Sequence, residues 1–155
     1  QEVYSGFVKR AEIAHDTAIY RAYQAEAARI EKEGGRIGRV VLDFELKRLV
    51  YTPLAKIRTQ VSPADYRKRQ AEVAQENGLK VVGGRVRLPD LRIEYQTRDG
   101  EQPRVDLEVA SESYHGSHAA IKAAAGFKIY GDQATASRLS RALDERDIVA
   151  EILSI

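Results

Sequence analysis

The chain contains no cysteine, which excludes disulfides, thiolate zinc sites and a cysteine nucleophile. That absence is compatible with a reducing compartment, and a cytoplasmic location is expected. There is no methionine either, so position 1 is not an initiator, and a further domain upstream is one expectation. No apolar run approaches the roughly 20 residues needed to cross a bilayer, and no basic segment leads into an apolar one as in an export signal. No membrane partner is expected. No G-x-S-x-G occurs, so Ser111, Ser113 and Ser117 do not form a nucleophile elbow. Gly83-Gly84 lacks phosphate-loop spacing, which argues against nucleotide binding and for a bulge or bend.

What is present describes an ordinary globule. The 155 residues fit one domain, a size at which folding buries roughly 70% of the unfolded surface. A hydrophobic share of 43% and a charged share of 31% suit a packed core with a solvated surface. The net charge of +2 hides an uneven distribution. Between Arg36 and Arg92 there are 13 Lys/Arg against 6 Asp/Glu, a local charge of +7, whereas residues 96–155 carry 7 against 10. A basic half beside an acidic half suggests a face able to meet a polyanion. Lys47, Arg48, Arg67, Lys68, Arg69, Arg85 and Arg87 are the residues expected to contact a DNA backbone, although a run such as Arg67-Lys68-Arg69 is more often a solvated helix face than a nucleic-acid contact.

Periodicity gives the elements. Ile19, Tyr23, Ala27 and Ile30 recur at helical spacing within a helix over 9–33, where Glu26 and Arg29 form a surface pair and Gly34-Gly35 supplies the stop. Residues 39–50 alternate, Val40, Leu42, Phe44 and Leu46 against Val41, Asp43, Glu45 and Lys47, and read as a strand closed by Pro53. Thr52 to Asn77 reads as two helical pieces, the second capped at Ser62-Pro63. Leu91, Ile93 and Tyr95 then alternate with charge, Arg98-Asp99-Gly100-Glu101 turns the chain, and Val105, Leu107 and Val109 return with Asp106 and Glu108 on the other face. A helix from Ser117 to Ala125 follows. Phe127 to Tyr130 is either a strand or more helix, and the last helix, from Ala134, uses Leu139, Leu143, Val149, Ile152 and Leu153 as its apolar stripe.

The hairpin carries the candidate chemistry. If its turn centres on Asp99-Gly100, Asp90 faces Val109 and lies within a residue of Glu108. Two neighbouring carboxylates repel unless a positive group intervenes. Mg²⁺ or Mn²⁺, hard cations that prefer oxygen, would serve, and so would a basic side chain in a purely structural cluster. His115 and His118 form an H-x-x-H pair without an evident third ligand, and His15 reads as a polar group at the edge of the core. The eight tyrosines are spread through the chain without an RNA-binding signature and read as core and rim residues.

Pro89-Asp90 followed by Asp106-Leu107-Glu108, within a helix–strand–strand–strand–helix order, resembles the PD-(D/E)XK nuclease superfamily. The resemblance implies an α/β, restriction-endonuclease-like fold, a central mixed sheet flanked by helices. It further implies metal binding by Asp90 and Glu108, with Asp106 or Glu45 assisting. The family's lysine, two residues beyond the second acid, is here Ala110. Lys122 on the following helix is one replacement, and Lys47, in Glu45-Leu46-Lys47, is another, although it precedes Asp90 in the chain. The chain is also similar to the nuclease-like part of replication-relaxation proteins through His15, Glu45, Pro89-Asp90, Leu107-Glu108, Lys122 and the 127–130 segment. That similarity implies an upstream winged-helix module. The expected function is a metal-dependent DNA phosphodiesterase in replication, mobile elements or defence. The alternative is a degenerate nuclease-fold module that binds DNA or a protein partner.

Overall fold

The computed structural model describes residues 10–155. Helix α1 spans Arg10–Lys32, in agreement with the periodicity, and position 9 lies outside the described residues. Gly34, at φ +85°, takes the left-handed geometry that ends it. Strand β1 follows at Arg36–Leu42, and here the sequence reading needs correction. Residues 43–50 are not strand but the start of helix α2, Asp43–Ile57. The alternation of apolar residues stops mattering at Leu42, because Leu46, Val50 and Leu54 recur every four residues and all three are buried, whereas Phe44 is exposed. Helical period therefore wins over the two-residue period. Pro53, expected to close a strand, sits inside α2. It leaves the carbonyl of Leu49 without its usual donor, and Leu49 lies on the exposed side.

Helix α3, Pro63–Glu76, begins as expected, with Ser62 Oγ accepting the Asp65 N–H at 3.1 Å. Gly83 and Gly84 form neither bulge nor bend. Both have positive φ, +61° and +73°, and make the tight turn between two short strands, β2 (Val81–Val82) and β3 (Arg85–Val86). The long hairpin comprises β4, Leu91–Gln96, and β5, Arg104–Val109. Helix α4 (Gly116–Ala124) leads to β6 (Lys128–Gly131), which resolves the 127–130 ambiguity as a strand. Helix α5 covers Gln133–Asp144 and ends earlier than its apolar stripe suggested. Val149 is almost wholly exposed, and Ile152 and Leu153 belong to a last strand, β7 (Ile152–Ser154).

The main sheet has five strands in the order β1-β4-β5-β6-β7. The first two pairings are antiparallel and the last two parallel, a mixed sheet flanked by helices. On one face α1 lays Ala22 and Ile30 against Leu91, Ile93, Leu107, Val109 and Tyr130. Elsewhere Ala119 of α4 with Leu139 and Leu143 of α5 packs on Ile129 and Ala110. The insertion between β1 and β4 has its own small core of Val50, Leu54, Val73, Ala74, Leu79 and Val86. Among the described residues no helix is long and apolar enough to cross a membrane.

Two buried ionic clusters tie these layers together. Glu26, expected in a surface pair with Arg29, is buried. Its carboxylate accepts from Lys128 Nζ at 2.7 Å and from the Tyr130 hydroxyl, which pins α1 to β6. Arg92 is also buried and joins the insertion to the sheet. Its guanidinium donates to both Asp106 oxygens, at 2.7 and 3.0 Å, and to the carbonyls of Asn77 and Gly78 at the end of α3. Removing it strands a nearly buried carboxylate and two carbonyls. Arg92→Ala should therefore lower the unfolding free energy by about 3–5 kcal/mol. Arg92→Lys should recover little of that, because an ammonium cannot match the fork, and urea denaturation of the three proteins checks both expectations.

Candidate functional site

Pro89 is fully buried and delivers the chain to the start of β4, where the Asp90 N–H donates to the Leu107 carbonyl at 2.9 Å. The observed register pairs Leu91 with Leu107, one residue short of the expected one. It carries Asp90 to the position beside Glu108. Asp90 Oδ2 accepts the Val109 N–H at 2.8 Å, and Oδ1 lies 3.5 Å from His15 Nε2, so the first helix contributes to the site's edge.

Glu108 lies on the β5 face opposite α1 and is buried. Its Oε1 receives two donors, the Tyr114 hydroxyl at 3.1 Å and Lys122 Nζ at 3.2 Å. Its Oε2 is buried and has no hydrogen-bond partner among the described residues. Lys122 is held from three sides, since Nζ also donates to the Leu88 carbonyl at 2.9 Å and sits 5.5 Å from the Phe127 ring centroid. Tyr114 is positioned from further away. Arg138 of α5 donates to the carbonyls of Tyr114 (2.8 Å) and Glu112 (3.0 Å), and His118 stacks on the Tyr114 ring at 5.1 Å. The two histidines of the H-x-x-H pair are thus a stacking residue, His118, and an exposed residue at the start of α4, His115.

Burial pushes the Glu108 carboxyl up to about 7, and the negative charge of Asp90 adds to the rise. Lys122 and Tyr114 oppose it without prevailing. Burial, then the same carboxylate, pushes the Tyr114 phenol up, so its proton stays available to Glu108. A carboxylate half supplied with donors, its other oxygen aimed at nothing, is an expensive arrangement unless a positive ligand completes it.

The other expected site residues distribute differently. Asp106 is not a partner of the pair: Arg92 engages both of its oxygens. Glu45 is on α2 rather than on the first strand, where it accepts from Arg39 Nη2 at 2.7 Å. Lys47, also on α2, pairs with Asp43 at 2.6 Å but lines the groove that ends at Asp90. Arg85 and Arg87 line the same groove from the β2–β3 hairpin. Arg48, Arg67 and Lys68 are exposed but do not line it, and Arg69 pairs with Glu72 and Glu76 of its own helix. Three contributors escaped the sequence reading. Arg58 and Tyr51 follow Lys47 at helical spacing and emerge once the segment is read as α2. Tyr114 carries no sequence signal, since only the course of the loop brings it to Glu108.

Among the described residues, no three histidine, aspartate or glutamate side chains gather around one point as a metal cage. Two carboxylates are nevertheless a suitable set for Mg²⁺, which keeps several of its waters. The unpartnered Glu108 Oε2 is the feature of the chain that fits such an ion. Comparison with protein-family models, curated proteins and solved structures finds no match.

The raised Glu108 carboxyl has a stability consequence of definite sign. Between its ordinary value of 4.5 and about 7, the folded chain keeps a proton that the unfolded chain has released. Stability therefore falls as pH rises through that window and is level above it. Glu108→Gln removes the titration. The stability of this variant relative to the parent should climb by about 3 kcal/mol between about pH 4 and about pH 8 without added metal. Denaturant midpoints across that range check the slope, and a flat difference would contradict it.

Proposed function

We propose that the chain has a restriction-endonuclease-like fold and acts as a metal-dependent DNA phosphodiesterase of the PD-(D/E)XK kind. The observation that supports this most is the position of Lys122. The family's lysine slot holds Ala110, and Lys122 reaches from α4 to within 3.2 Å of Glu108, the acid that such a lysine accompanies. Asp90 and Glu108 would hold Mg²⁺ or Mn²⁺, an ion that supplies a water acidic enough to attack and neutralises charge on the phosphodiester.

The chain's own side chains divide the remaining work. Tyr114 and Lys122 saturate Glu108 Oε1 and leave Oε2 as the ligand oxygen. The Val109 N–H fixes Asp90 Oδ2. Lys122 presents its ammonium at the end of the basic groove, where it can steady an attacking water or a phosphate oxygen. His15 approaches Asp90 from the exposed side, its Nε2 3.5 Å from Oδ1. Lys47, Arg85 and Arg87 offer charge to the phosphate backbone without reading bases, which implies strongly salt-dependent binding.

A non-catalytic reading is favoured by a specific observation as well: burial holds the Glu108 carboxyl up to about 7, so that near neutrality it is only partly charged. In that reading the module binds DNA or a protein and cuts nothing. Two measurements separate the alternatives. Mn²⁺ should raise the thermal midpoint of the parent, and Asp90→Ala and Glu108→Ala should each abolish the rise. In Mn²⁺, supercoiled and branched DNA should be cleaved by the parent, with the rate falling at least about 100-fold in Glu108→Ala and Lys122→Met. Equal backgrounds in parent and Glu108→Ala would remove the enzymatic reading.

A further inference from the structure

The groove leading to Asp90 and Lys122 has a volume of about 650 Å³ and walls from three elements. One wall is a single stripe of α2. Asp43, Lys47, Tyr51, Leu54 and Arg58 follow one another at three- and four-residue spacing, so they share one helix face. At 1.5 Å per residue this stripe is roughly 22 Å long. Tyr66 and Gln70 of α3, one turn apart, come from a second element. The β2–β3 hairpin supplies the third wall through Arg85 and Arg87. Five cations line the trough, counting Lys122, against the two carboxylates Asp43 and Asp90. Arg58, Arg85 and Arg87 have no carboxylate partner among the described residues. Tyr51 is half exposed within this charged surface.

We propose that this groove binds single-stranded DNA in preference to duplex, and so delivers an unpaired arm to the Asp90–Glu108 pair. Cations alone would attract any polyanion. The tyrosines discriminate, because an aromatic wall gains energy from a base only when that base has a free face. In a duplex those faces are already stacked on each other and the phosphates point outward, so Tyr51 and Tyr66 would contribute nothing. A single strand offers phosphates to the arginines and bases to the tyrosines at the same time. A three-walled trough also suits one chain better than two.

What happens at the groove's end rests on the nuclease reading, whereas binding along the groove does not. The test is accordingly made without metal. Fluorescence anisotropy in EDTA would compare a labelled oligo-dT strand of a dozen nucleotides with a blunt duplex of the same length. The parent should bind the strand at least about 10-fold more tightly. Tyr51→Ala, on an exposed position, should weaken strand binding about 10-fold and leave duplex binding unchanged. Arg58→Glu and Arg85→Glu should weaken both and flatten the salt dependence. An unchanged melting midpoint for Tyr51→Ala would show that its fold is intact. Equal or tighter duplex binding, or strand binding indifferent to Tyr51→Ala, would overturn the proposal. If strand preference fails while Glu108-dependent cleavage persists, this inference alone falls. If the preference holds without any cleavage, it stands and the nuclease reading falls.

Discussion

The buried Arg92 guanidinium, clamped between Asp106 and the end of α3, fixes how the inserted α2–β3 unit lies on the sheet. Its importance comes from geometry as much as from energy. Asp106 and Glu108 are two residues apart on one strand and therefore point to the same face of the sheet. Two like charges in a row on a covered face need separate compensation. Arg92 neutralises the first completely and in doing so carries the C-terminus of α3 to the sheet. The α2 stripe and the β2–β3 hairpin are then set facing each other, and the trough between them ends at Pro89-Asp90. A glycine contributes here too: at φ +61° Gly78 takes a left-handed backbone that other side chains rarely adopt.

Glu108 receives different treatment. Lys122 and Tyr114 supply donors to one oxygen only, and the carboxyl still ends with its proton held up to about 7. Arg92 shows that this fold is able to neutralise a buried carboxylate on that face in full. The contrast between the two acids is therefore informative. Asp106, with a bidentate partner, holds structure together, whereas Glu108, with a half-complete one, is costly to the folded chain above neutrality. A cluster serving only stability would gain from replacing Glu108 by an uncharged side chain, and this contrast is what the proposed metal site rests on.

Much of the hairpin was legible in the sequence because apolar alternation on both strands and an Asp-Gly turn fix an antiparallel pairing to within one residue, the last residue being settled by which face is buried. Alternation of Leu91, Ile93 and Tyr95 with charge, followed by the return of Leu107 and Val109, was enough to bring Asp90 and Glu108 within a residue of each other. Ser62-Pro63 and Gly34 were legible for the same reason, since caps act through local geometry. The segment 43–50 was not. Val40-x-Leu42-x-Phe44-x-Leu46 satisfies a two-residue period, while Leu46, Val50 and Leu54 satisfy a four-residue one, and the choice is made by the insertion's own core. That core assembles from α2, α3 and β3 and has no counterpart in any short window. The same error hid the groove, whose wall exists only if Lys47, Tyr51 and Arg58 share a helix face. Tyr114, Arg138 and the compensation of Asp106 by Arg92 depend on tertiary placement alone.

The two carboxylates at the end of the groove differ in a way that bears on how a site of this kind is switched on. Asp90 keeps some exposure, takes a backbone N–H and has a histidine at its open side. Glu108 is enclosed and prefers its proton, partly because Asp90 is already charged. Burial therefore leaves Glu108 close to half protonated near neutrality. Were the pair to hold a divalent ion, as proposed, that ion would have to displace the proton from Glu108, and its binding would weaken as pH falls below about 7. The ammonium of Lys122 lies against the opposite oxygen, Oε1, at 3.2 Å. The direction of any such coupling would follow from burial, because Glu108, the enclosed acid, is the one whose carboxyl is pushed up.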